Sequence, residues 1–180
     1  MLTIINVSTW FTFSRIFLAP CIMVAIYRHA WILAAILFGC AAMTDFFDGY
    51  YARLYNQETN FGRLLDPVAD KVLLFSTLCA LYQVSGQSLI PFWFIALVIG
   101  KDIILVCGAI FLLLQKKQIV IAPSIISKWI TALFMLFLIY LMLVYSGFVS
   151  CNYIDQLVYF FAFATVIILF DYVDRSFKSL

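Results

Sequence analysis

Four aspartates, Asp45, Asp48, Asp66 and Asp70, fall within the 26-residue stretch DFFDGYYARLYNQETNFGRLLDPVAD of a chain that is otherwise strongly apolar. An ionisable group at bilayer depth is costly; where one occurs it faces a bundle interior or water and marks a site. Four carboxylates gathered closely repel one another unless they share protons or bind cations. An all-oxygen donor set of this kind suits hard divalent ions such as Mg2+ or Mn2+. The chemistry to look for is that of a divalent-metal centre.

The spacing is helical. Asp45, Asp48, Gly49 and Ala52 stand at i, i+3, i+4 and i+7 and share one face, with Arg53 at its edge; Gly62, Asp66 and Asp70 stand at i, i+4 and i+8 on a second. Two antiparallel helices joined by a short loop bring such faces together, and Gly and Ala let a substrate or another backbone come close. Arg53 supplies a fork suited to phosphate, and Asn56, Gln57 and Thr59 supply neutral hydrogen-bonding groups. Pro67 directly follows Asp66, so it either kinks a helix already under way or occupies a first turn with Asp66 as the cap. The sum is a divalent-metal site beside a phosphate site. Two other readings compete with it: ion pairs to Arg53, Arg63 and Lys71 that fix helix packing, and a cation or proton transport pathway. The transport reading leaves Gly49, Ala52 and Arg53 unexplained, and the other spans offer few further polar steps.

The elements that must position these residues are membrane helices. The 180 residues are 66% hydrophobic and 11% charged, with a mean hydropathy of +1.09, outside the range of a soluble domain. A span needs about 20 residues to cross about 30 Å of hydrocarbon. Apolar runs between breakers place spans at 9–27, 30–52, 64–83, 89–114, 125–146 and 153–171. The expected fold is thus an all-α integral membrane protein of six transmembrane helices, one membrane-embedded domain over 1–180 with both termini on one side. Met1 to Trp10 is read as a short interfacial lead-in, and no cleaved signal peptide is expected. The connection at 27–30 holds Arg28 and those at 84–90 and 147–152 hold no Lys or Arg. The opposite side carries Arg53, Arg63, Lys116, Lys117, Arg175 and Lys178, with Lys128 close by. By the positive-inside rule that face, and the aspartate motif with it, is cytoplasmic. The cysteines, Cys21, Cys40, Cys79, Cys107 and Cys151, are spaced singly and read as buried small apolar residues.

The run from Asp45 through Asp48, Gly49, Ala52, Arg53, Gly62 and Asp66 to Asp70 fits, at every fixed position, the signature D-x2-D-G-x2-A-R-x8-G-x3-D-x3-D; on it the chain resembles the CDP-alcohol phosphatidyltransferases. The N-terminal NVSTWFTFSRIFLAP is similar to the N-x-x-T-x-x-T-x-x-R-x-x-x-x-P lead-in of the phosphatidylglycerophosphate-forming and cardiolipin-forming branches of that family, and NQETNFGRLLDPVADK resembles the same two branches. The resemblance implies the six-helix fold of the family. It implies an enzyme that attacks the diphosphate of a CDP-linked lipid with an alcohol and releases CMP at the cytoplasmic surface of a bacterial inner membrane. It also implies a homodimer, with no nucleic-acid partner expected. Carried over by position, Asp45, Asp48, Asp66 and Asp70 would hold two divalent ions, Mg2+ or Mn2+, and Asp70 would also be the general base. Gly49, Arg53 and Thr59 would contact the CDP-lipid. Carboxylate chemistry alone does not single out Asp70 among the four.

An acceptor that carries phosphate calls for basic residues near the metal site, and Lys71, Lys101 and Lys128 are the candidates. Lys101 and Asp102 interrupt the apolar run PFWFIALVIGKDIILVCGAIF, where a charge facing lipid is disfavoured; the alternative to a cavity-facing Lys101 is a local ion pair with Asp102. Lys128 resembles the lysine before the fifth helix of both branches. Lys116 and Lys117 read as topology determinants that meet anionic headgroups, and His29 as an interfacial residue. The expected reaction joins CDP-diacylglycerol and glycerol-3-phosphate; the alternative acceptor is phosphatidylglycerol, giving cardiolipin.

Overall fold

The computed structural model describes residues 7–55, 60–85, 89–114 and 125–178, with side chains described at 15, 17–44, 71–84, 89–105, 127 and 129–172. Among the described residues the regular structure is all helical, in six elements: α1 (Val7–Tyr27), α2 (Trp31–Tyr55), α3 (Asn60–Ser85), α4 (Phe92–Leu114), α5 (Ile125–Tyr145) and α6 (Ile154–Lys178). Val7 to Trp10, read from sequence as part of an interfacial lead-in, are continuous with α1; residues 1–6 lie outside the described residues.

The helix ends follow from turn chemistry. At the end of α1 the amide of Ala30 donates to the carbonyl of Ala25 and that of His29 to Ile26, with His29 at φ 56°. This is the paired 6→1 and 5→2 bonding that closes a helix through one left-handed residue. The end of α5 repeats it, with Phe148 bonded to Leu143, Gly147 to Val144, and Gly147 at φ 80°. Pro91 precedes α4, where a missing N–H costs nothing, and Asp155 sits in the first turn of α6, where its charge meets the positive helix end.

The helices gather in two compact units, one of residues 1–84 with 138–150, the other of 85–137 with 151–180. In the first, α1 packs on α2. Buried alanines, Ala19 and Ala25 on α1 and Ala34, Ala35 and Ala41 on α2, keep both contact faces small enough for close approach. Ile22, Ile26, Phe38, Leu73, Leu78, Leu81, Leu141 and Met142 fill the rest of that core. Tyr27 donates a hydrogen bond to the side chain of Gln83, and Trp31 stacks on Tyr145 with ring centroids 4.7 Å apart. These contacts bind the end of α1, the start of α2, the end of α3 and the end of α5 into one end of the unit. Since α2 leaves that end and α3 returns to it, the two run antiparallel.

In the second unit α4 and α6 pack together. Trp93 stacks on Tyr159 at 5.8 Å, and the Tyr172 hydroxyl donates to the carbonyl of Leu105 at 3.3 Å. The two helices therefore run parallel. Between them Phe94, Phe134, Phe137 and Phe161 form an aromatic cluster whose closest pair, Phe137 and Phe161, lies at 5.0 Å. Edge-on and tilted ring pairs of this kind contribute about 0.5–1.5 kcal/mol each beyond their burial.

Large apolar side chains also cover the outside. Phe17, Ile32, Leu33, Ile36 and Met43 are exposed in the first unit, and Tyr159, Phe160, Phe163, Ile167 and Phe170 line one side of α6 in the second. Among the described residues Ile154–Tyr172 is the segment long and apolar enough to cross a membrane outright, and shorter apolar helical stretches run over Phe17–Tyr27, Trp31–Thr44, Lys71–Val84 and Trp129–Tyr145. The cysteines depart from expectation. Those described are free, Cys21, Cys40 and Cys151 are exposed and Cys79 is half-buried, because Ala, Leu, Ile and Phe take the core positions. Cys107 lies outside the described side chains.

Candidate active site

The aspartate motif occupies two consecutive helices of one unit. Asp45, Asp48, Gly49 and Arg53 lie on the closing turns of α2, and Gly62, Asp66 and Asp70 on the opening turns of α3. Thr59 lies outside the described residues, as do the side chains of Asp45, Asp48, Arg53, Asp66, Asp70 and Lys128. What the backbone fixes is their level. The anchored end holds Tyr27, Trp31 and Gln83, so the opposite end of the unit is where α2 finishes and α3 begins. At about 1.5 Å per residue, Asp45 stands about 21 Å along α2 from Trp31 and Asp70 about 20 Å along α3 from Gln83. The two acids are thus at one depth on antiparallel helices, and Asp48 and Asp66 lie further toward the open end. Helical periodicity keeps each pair on one side of its own helix.

Of the two placements open to Pro67, the structure adopts the interior one. Helix α3 begins at Asn60 and runs through Pro67, so Asp66 is not a capping residue. Pro67 has no N–H to give the carbonyl of Arg63, so that helical bond, about two turns before Asp70, is not made.

The three lysines separate. Lys71 follows Asp70 on α3 and is half-buried. Lys101 lies on α4 and Lys128 on α5, in the second unit. The ammonium of Lys101 meets a carboxylate oxygen of Asp102 at 3.3 Å, with both side chains nearly buried, so the local ion pair foreseen as the alternative is formed. Among the described residues no cluster of His, Cys, Asp and Glu could hold a metal; the four aspartate side chains are not among them. His29 is exposed in the turn between α1 and α2, edge-on to Trp31 at 5.4 Å.

One charged residue without a role in the sequence reading is prominent. Arg15 on α1 is 1% exposed and is among the largest fully buried side chains of the described residues. Its signal in the sequence was a lone guanidinium inside the apolar run FTFSRIFLAP.

Comparison with known proteins agrees with the motif. The family model for CDP-alcohol phosphatidyltransferase matches residues 5–173. A protein of Aquifex aeolicus (strain VF5) named CDP-diacylglycerol--glycerol-3-phosphate 3-phosphatidyltransferase is 37% identical over 126 residues, covering 70% of this chain and 69% of its own. A protein of Rickettsia bellii (strain RML369-C) with the same name is 31% identical over 171 residues, covering 93% of each chain. One of Salmonella choleraesuis (strain SC-B67), again so named, is 49% identical over 72 residues, which are 38% of this chain and 40% of its own. A match over nearly the whole chain, with the eight-position signature set on two consecutive antiparallel helices, makes this protein a member of the CDP-alcohol phosphatidyltransferase family.

Proposed function

We propose that this protein transfers the phosphatidyl group of CDP-diacylglycerol to glycerol-3-phosphate, forming phosphatidylglycerophosphate and CMP. The observation that carries the reading is the placement of the complete signature on α2 and α3, in a chain whose relatives of matching length bear the name of that activity. The donor set fits divalent ions: four carboxylates drawn from two helices offer hard oxygen ligands and too much negative charge to be left uncompensated. Asp45, Asp48, Asp66 and Asp70 would hold two such ions, Mg2+ or Mn2+. When bound, these neutralise the diphosphate and the leaving CMP.

The chain's own residues account for the rest. Asp70 accepts the proton of the acceptor hydroxyl while that oxygen bonds to the lipid-side phosphorus of the diphosphate. The bond from that phosphorus to the bridging oxygen breaks, and CMP leaves with the electron pair. Gly49, without a side chain, lets the cytidine phosphates approach α2, and Arg53 pairs with them; Thr59 adds a hydroxyl. Lys71, Lys101 and Lys128 are the cations for the phosphate of the acceptor. Of these Lys101 already shares its charge with Asp102.

The reading places six helices across a bacterial inner membrane as a single domain, with a homodimer as the assembly. The exposed aromatic and aliphatic side chains of α2 and α6 support the bilayer as their solvent. The basic residues flanking the motif support a cytoplasmic active face. Purified protein given CDP-diacylglycerol, Mg2+ and radiolabelled glycerol-3-phosphate should move label into the lipid extract as phosphatidylglycerophosphate. Label that stays in the aqueous phase would overturn the assignment.

A further inference from the structure

Arg15 is buried to 1% exposure on α1, and α1 packs on α2. A buried guanidinium requires opposite charge and hydrogen-bond acceptors near it. Every carboxylate side chain of its unit, Asp45, Asp48, Glu58, Asp66 and Asp70, lies between positions 45 and 70. Measured from the same anchored end, at about 1.5 Å per residue, Arg15 stands about 18 Å from Tyr27, against about 21 Å for Asp45 and about 20 Å for Asp70. The three residues occupy one layer of the unit within about a single helical turn, about 5.4 Å. That layer is the deeper edge of the acidic set, on the side of the apolar core formed by Ile22, Phe38, Leu73 and Leu78.

We infer that Arg15 is a built-in counter-cation of the carboxylate cluster, a positioning residue that pairs with Asp45, and with Asp70 at the same level, from the core side. This rests on reading the four aspartates as the metal-holding set. A fork of fixed donors suits two carboxylate groups better than an ammonium does, and it cannot lose its proton in an apolar setting. Its burial keeps it from meeting a substrate that enters from the open end, so it acts through the aspartates. The pairing offsets part of the repulsion among them before any cation arrives and fixes the oxygens that receive it. Removal of Arg15 leaves the cluster more negative and less ordered, and therefore more dependent on Mg2+ for its stability.

The test uses the full chain in detergent, by thermal unfolding in EDTA and in excess Mg2+ without substrate, for wild type, Arg15→Met, Arg15→Lys and Asp45→Asn. Arg15→Met is expected to unfold at a lower temperature in EDTA and to show a larger upward shift with Mg2+ than wild type, with Arg15→Lys between them. Combined with Asp45→Asn, most of the Arg15→Met effect in EDTA should vanish, since the carboxylate it leaves unpaired is already neutral. In CMP release, kcat of Arg15→Lys should fall about tenfold while the KM for CDP-diacylglycerol changes less than about threefold, the pattern of a group that aligns and does not bind. Additive effects of Arg15→Met and Asp45→Asn, with an unchanged Mg2+ shift, would overturn the inference. If Arg15→Met does not fold, the same cycle with Arg15→Lys decides. Coupling between the two positions with no Mg2+ response in any variant would support the pairing and sink the metal reading, so the two can fail separately.

Discussion

The phenol of Tyr27, at the end of α1, donates a hydrogen bond to the side-chain oxygen of Gln83 near the end of α3. With Trp31 stacked on Tyr145 close by in sequence, it fixes one end of the first unit and thereby the depth at which Asp45 and Asp70 stand. The bond is exposed, so Tyr27→Phe should cost no more than about 1 kcal/mol. Thermal unfolding in detergent checks this, and CMP release should be retained, because the burial of Leu73, Leu78 and Leu81 also holds α3 in its register.

Asp102 and Lys101 form a nearly buried ion pair on α4. Asp102→Asn removes the carboxylate from this nearly buried pair and should destabilise the protein by up to about 3–5 kcal/mol. Lys101→Met combined with Asp102→Asn should recover most of that loss. If Lys101 also serves the acceptor, Lys101→Met will raise the KM for glycerol-3-phosphate and leave that for CDP-diacylglycerol unchanged; steady-state kinetics with each substrate varied in turn decides it.

Gly147 closes α5 at φ 80°, a backbone state that costs a side-chain-bearing residue about 1 kcal/mol, although a Cβ there would meet open space. Gly147→Ala should lower stability by about that amount without touching turnover. Guanidinium-free thermal unfolding and CMP release measured on one preparation give both numbers.

Asp70→Asn removes the proposed base and one cation ligand. Turnover should fall by at least about 10³-fold, at the upper range of general-base effects, with the thermal transition retained. Substantial residual activity would remove Asp70 from that role. EDTA should likewise abolish CMP release by wild type, and added Mg2+ or Mn2+ should restore it.

Much of the architecture was legible in the apolar runs. The expected spans 89–114 and 125–146 and the observed α4 and α5 differ by three residues or fewer at each end. The misses have local causes. The third span is expected from 64, with Pro67 open to either a first-turn or an interior place; α3 is under way from Asn60, because polar residues ahead of the apolar run can begin a helix that hydropathy does not register. Hydropathy ended the sixth span at 171, but α6 continues to Lys178 through a polar stretch, because helical bonding does not require an apolar sequence. Asp45 to Asp70 stood out because charge in an apolar chain is conspicuous and their spacing is helical. Arg15 was equally visible as a charge, but its burial depends on the packing of α1 on α2, which no one-dimensional pattern records. The outward cysteines failed for the same reason: their size suits a core, and the core positions went to Ala, Leu, Ile and Phe.

The central claim is an acceptor assignment on a metal-dependent transferase. CMP release by purified protein with CDP-diacylglycerol and Mg2+, run in parallel with glycerol-3-phosphate and with phosphatidylglycerol, tests it most directly. Release with glycerol-3-phosphate and none with phosphatidylglycerol is the predicted result. Release with phosphatidylglycerol alone would contradict it and make the protein a cardiolipin-forming member of the family.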